Sequence, residues 1–116
     1  MNHLIRQNVE EEQGVQSGHN SVKILVWNVR GAGSNNFLNS IKEHIRMHKP
    51  QIIALLETHV SGPSADEVCR KIGYQGIFRV EAYGHQGGIW LLWDKEKIDL
   101  LLIDSHTQFV TMEVSE

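Results

Sequence analysis

Val22-Lys23-Ile24-Leu25-Val26-Trp27-Asn28 and Gln51-Ile52-Ile53-Ala54-Leu55-Leu56-Glu57-Thr58 are the two stretches whose reading decides the fold. Each is a continuous apolar run too short for a helix, and the first is rich in branched residues, so each reads as a strand buried on both faces. Between them Gly31 and Gly33 end the first run, and Asn35 or Asn36 is placed to cap a helix. Phe37, Leu38, Ile41 and Ile45 then recur at helical spacing until Pro50 stops the helix. Strand, helix and strand within about thirty-five residues predict a right-handed crossover between two parallel neighbours.

Downstream, the turn-rich Ser61 to Ser64 precedes a short helix expected over Ala65 to Ile72, with Val68, Cys69 and Ile72 turned inward and Gly73 closing it. From Gly76 onward the helical pattern disappears. Ile77 to Tyr83, Gly88 to Trp93, Ile98 to Ser105 and Phe109 to Val114 read as strands joined by tight connections, which favours antiparallel pairing. The expected outcome is an α/β unit with a mixed sheet and two flanking helices. Upstream, residues 1–21 are polar, carry the acidic run Glu10-Glu11-Glu12 and present no periodic apolar face, so a disordered leader is expected there.

At 116 residues the chain is one small domain at most, and its net charge of −3 provides no global field for a polyanion. Contact with nucleic acid would need a local basic patch. Cys69 is the only cysteine, which excludes an internal disulfide or a cysteine zinc site and reads as a small buried apolar residue. The longest apolar run, Ile98 to Ile103, contains Asp99 and falls far short of the ~20 residues that span a bilayer. Met1 to Val9 lacks the features of a signal peptide, so an intracellular, soluble protein is expected, nuclear or cytoplasmic.

Asn28 and Glu57 end the two strands, and parallel strands bring both to the carboxyl edge, where open α/β sheets gather ligands. A carboxylate there suits a hard cation such as magnesium, and an amide can orient a neighbouring group or hold a phosphate oxygen. The bland alternative has Asn28 serving its turn and Glu57 facing solvent. Arg30 is expected to meet phosphate, and His59 either does the same or supports its turn. Gly31-Ala32-Gly33 followed by Glu57 also imitates a dinucleotide-binding unit, but Asn36 occupies the position where its third glycine belongs. His44 and His48 are four apart with no third ligand beside them and read as a solvated rim of the helix. Alternation sends Trp90 and Trp93 to opposite faces as core filling.

Three strings of this sequence resemble, in order and spacing, the opening of the endonuclease/exonuclease/phosphatase (DNase I-like) superfamily. They are Trp27-Asn28-Val29-Arg30-Gly31, Lys49-Pro50-Gln51-Ile52-Ile53-Ala54-Leu55-Leu56-Glu57-Thr58 and Gly87-Gly88-Ile89-Trp90-Leu91-Leu92-Trp93. Arg79-Val80-Glu81-Ala82 and the third string look like the plant non-LTR (LINE-type) retrotransposon branch, and the resemblance runs from about Val22 to Val114.

The resemblance implies the truncated N-terminal half of a two-sheet sandwich, residues 22–116, from a nuclease domain that cleaves phosphodiesters of DNA with magnesium. It matches Asn28 to the family's first active-site motif and Glu57 to its metal-binding glutamate. The family's tyrosine, Asp-x-Asn and Ser-Asp-His motifs have no counterpart in these 116 residues. The expectation is therefore a fragment inactive alone, with apolar surface and a strand edge at Phe109 to Val114 that favour self-association. The alternatives are a non-catalytic interaction protein reusing the half-fold and, ranked last, a dinucleotide-binding unit.

Overall fold

A computed structural model describes residues 21–83, 86–106 and 109–115, so the expected leader, apart from Ser21, lies outside the described residues. The chain is an α/β unit with the element order β1 (Ile24–Asn28), α1 (Asn35–His48), β2 (Ile52–Leu56), α2 (Gly62–Ile72), β3 (Gly76–Val80), β4 (Ile89–Trp93), β5 (Asp99–His106) and β6 (Phe109–Ser115). The first four strands form a mixed sheet in the order β1-β2-β4-β3, and β5 pairs with β6 as a separate sheet. The β1–β2 pair is parallel, whereas β4 runs antiparallel to both β2 and β3.

Strand alternation divides the four-stranded sheet into two faces. Leu25, Trp27, Ile53, Leu55, Trp90 and Leu92 turn to the helices and pack with Phe37, Ile41, Cys69 and Ile72. Ile24, Ile52, Ala54, Leu91 and Trp93 turn the other way and meet Leu100, Val110, Met112 and Val114 of the β5–β6 hairpin. The molecule is thus layered as helices, sheet and hairpin. Trp90 and Trp93 fill opposite cores, as alternation requires. The Trp93 indole lies so close over Gly76 that a Cβ there would come within 2.2 Å of the ring.

Three sequence expectations need correction. β1 is not buried on both faces: among the described residues it is the outer strand of the sheet, paired only with β2, and Val26 remains 46% exposed. The α1 cap is Ser34, whose hydroxyl accepts from Phe37 N at 3.0 Å, rather than Asn35 or Asn36. α2 starts at Gly62 instead of Ala65, because Pro63 is tolerated in the first turn, where its missing N–H costs no hydrogen bond. Cys69 is buried as expected, and burial raises the pKa of its thiol.

Arg79 ties α2 to the sheet. Its guanidinium donates to Asp66 at 2.7 Å and to Glu81 at 3.1 and 2.8 Å, while Glu81 also accepts from Gly62 N at the start of α2 at 3.3 Å. Burial opposes the Arg79 charge, but these carboxylates outweigh it and hold its pKa above the ordinary value. Among the described residues no helix is long and apolar enough to cross a membrane.

Candidate active site at the carboxyl edge of the parallel strands

The parallel pair places the ends of β1 and β2 side by side, with Asn28 opposite Leu56. Beyond Leu56 the chain stops being extended. Glu57 and His59 take left-handed φ angles of 54° and 61°, and Arg30, just past β1, takes 52°. Flanking backbone bonds hold these turns. Gly31 N and Ala32 N donate to the carbonyls of Glu57 and Thr58, both at 2.8 Å. From the other side Thr58 N and His59 N donate to Gly88 and Gly87 carbonyls at 3.3 and 2.9 Å.

The turn at Glu57 changes where its side chain goes. By strand alternation Asn28 and Leu56 share the hairpin face, and an extended Glu57 would point to the helix face. In its left-handed conformation Glu57 instead meets Asn28, whose Nδ2 donates to Oε2 at 3.3 Å. His59 Nε2 lies 3.9 Å from Glu57 Oε1. The three side chains line an open cleft of ≈460 Å³, completed by Leu56, Gln86, Gly87, Gly88 and Ile89. Glu57 and His59 keep about half and a third of their side-chain surface exposed, 50% and 31%, so solvent and solutes reach both.

Sequence reading named Asn28, Glu57, Arg30 and His59, and the first two and His59 meet in this cleft. Arg30 is exposed beside it and is not among the lining residues. Sequence reading missed the cleft's other wall: Gln86, Gly87 and Gly88 reach Glu57 only through the β2–β4 pairing, although the Gly-Gly pair was a visible signal. Gly88 has φ 97°, and a Cβ on it would fall 2.3 Å from Thr58 Oγ1. That hydroxyl is fully buried and has no hydrogen-bond partner among the described residues.

The Glu57 carboxylate is a hard oxygen donor of the kind magnesium takes, and the Asn28 amide orients it. In number the set is small: among the described residues no three His, Cys, Asp or Glu side chains converge as a metal group. The glycine turn offers no phosphate cradle, because the amides of Gly31 and Ala32 are already donated to backbone carbonyls. The antiparallel β4 beside β2 also departs from a doubly wound nucleotide fold. No protein-family model matches the chain, and no curated protein matches it.

Proposed function

We propose that this chain carries the opening part of a magnesium-dependent phosphodiesterase site of the endonuclease/exonuclease/phosphatase type, as in plant non-LTR retrotransposon nucleases, with DNA as the parent substrate. The observation that carries the reading is the Asn28–Glu57 hydrogen bond inside one open cleft at the carboxyl edge. In this reading Glu57 holds the ion, Asn28 positions the Glu57 carboxylate, and His59 and the exposed Arg30 meet substrate phosphate. A mixed sheet with helices on one face and a hairpin beginning a second sheet on the other is what half of a two-sheet sandwich requires.

Magnesium, when bound, polarises the phosphate and lowers the pKa of an attacking water. Glu57 would supply part of its shell, Asn28 would hold that carboxylate in place, and neither is assigned as the proton acceptor for that water. A positioned general acid or base is worth ~10²–10⁴ in rate, so the lack of Asp-x-Asn and Ser-Asp-His in these residues leaves cleavage near background.

Two measurements on the purified chain test the reading. Magnesium should shift the backbone and side-chain NMR signals of Asn28 and Glu57, and Glu57→Gln should abolish that response. Supercoiled plasmid with magnesium should be nicked no faster by the wild type than by Glu57→Gln. Absence of any magnesium response at Glu57 would refute the ion site, and nicking that Glu57→Gln removes would refute the claim of inactivity.

A further inference from the structure

On the side of α1 next to β1, away from the cleft, His44 and His48 form a second arrangement with its own chemistry. They lie one helical turn apart, with ring centroids separated by 6.2 Å and planes 30° from parallel. His44 Nδ1 is 2.8 Å from the carbonyl oxygen of Ser40. A carbonyl only accepts, so Nδ1 carries the proton, and in the neutral ring the lone pair sits on Nε2. Trp27 packs on the same imidazole, with centroids 5.6 Å apart, and is itself held by Phe37 at 5.6 Å. The His44 ring is therefore fixed in tautomer and position by groups that do not use Nε2.

That is the outer shell of a metal-ligating histidine: one nitrogen donates to a carbonyl, which puts the lone pair of the neutral ring on the other. His48 is exposed and sits in the last turn of α1, at the negative end of the helix dipole, which favours a cation. The nearby Lys23 ammonium donates to the His48 carbonyl at 3.2 Å, which places one competing charge beside the site but leaves the imidazole nitrogens unengaged by it.

We propose that His44 and His48 chelate one divalent transition ion through two imidazole nitrogens, water completing its shell. The donor class excludes magnesium and calcium, which take oxygen, and suits zinc, nickel and copper, with copper(II) tightest by the usual order of divalent affinities. No covalent or redox step is involved. The site is independent of the Glu57 cleft and of the function proposed for it, and the choice of ion separates the two.

The test uses the full chain and zinc chloride as the first probe, read by the imidazole C–H and N–H signals of His44 and His48 in NMR. Both rings should move together and saturate at one equivalent, magnesium should leave them unmoved, and His48→Ala should weaken the His44 response at least tenfold. His48 is exposed, so this variant keeps the fold, and an unchanged melting temperature without metal verifies that. Titrations with nickel and copper should give tighter binding for copper, again reduced tenfold or more in His48→Ala. Rings that stay unmoved under excess zinc, or a His44 response indifferent to His48→Ala, would overturn the proposal.

Discussion

Gly88→Ala should damage the protein out of proportion to its size, and a second glycine of nearly equal backbone angle supplies the control. Gly88 has φ 97° and Gly73, the C-cap of α2, has φ 95°, so alanine is about equally strained at both. That left-handed strain costs roughly 1–2 kcal/mol for an L-residue. At Gly73 a new methyl meets nothing within 4 Å, whereas at Gly88 it would sit 2.3 Å from Thr58 Oγ1 and 3.3 Å from the Ala82 Cβ. Thr58 is fully buried and cannot swing aside freely, so overpacking adds about 1–3 kcal/mol. Gly88→Ala is expected to lose about 2–5 kcal/mol in all, against roughly 1–2 for Gly73→Ala. For a domain of this size each kilocalorie corresponds to about 4–8 °C in Tm. Urea and thermal melts of both variants measure the gap. In a Thr58→Ala background the hydroxyl is gone and the excess cost of Gly88→Ala should largely vanish; the Thr58 hydroxyl has no partner among the described residues, so its removal strands none of them. Equal losses in Gly73→Ala and Gly88→Ala would refute the close contact, as would a Gly88→Ala penalty untouched by Thr58→Ala.

Two further outcomes follow from the fold. Tyr74 donates its hydroxyl to the Pro50 carbonyl at 2.5 Å, and burial, then the Asp94 charge, pushes its pKa up from 10.0 to about 12. A raised folded-state pKa means stability fully present below about pH 10 and lost as pH climbs through 12; urea midpoints should fall more steeply over that window for the wild type than for Tyr74→Phe, and parallel curves would count against it. Leu101 and Ile103 stay 58% and 46% exposed on the outer face of the hairpin, so sedimentation should reveal association that Leu101→Lys with Ile103→Lys relieves; a wild type that is monomeric at every concentration would contradict this.

Elements written in consecutive residues were legible. The runs at Ile24 and Ile52, the apolar stripe Phe37, Leu38, Ile41, Ile45, and the glycine after Ile72 gave β1, β2, α1 and the end of α2 near their observed limits. What failed depended on neighbours that no local pattern reports. Val26 looks like core in sequence, but β1 is the outermost of the described strands in its sheet, and Val26 stays half-exposed there. Ser34, Asn35 and Asn36 are all competent caps, and what singles out Ser34 is that its hydroxyl reaches Phe37 N. The cleft wall at Gln86 to Gly88 was hidden for a similar reason, since β4 reaches β2 across more than one intervening element.

The candidate site was found from sequence by an argument that was only half complete. Parallel strands bring Asn28 and Glu57 to one edge, but with side chains alternating along each strand they belong to opposite faces of the sheet. What unites them is a left-handed residue at Glu57, a conformation that costs a non-glycine residue about 1–3 kcal/mol and persists only when its surroundings over-determine it. Those surroundings are the four amide–carbonyl bonds that grip residues 57–59 from the Gly31 turn on one side and from Gly87 and Gly88 on the other. Of the four described non-glycine residues with positive φ, Lys49 is accounted for as the C-cap of α1, and the other three are Arg30, Glu57 and His59. A turn with only a structural duty would lower its cost with glycine at these places. Holding arginine, glutamate and histidine there instead concentrates strain on the side chains to which the proposed function gives a metal ion and a phosphate, and the backbone of Gly31, Gly87 and Gly88 holds the segment that carries two of them.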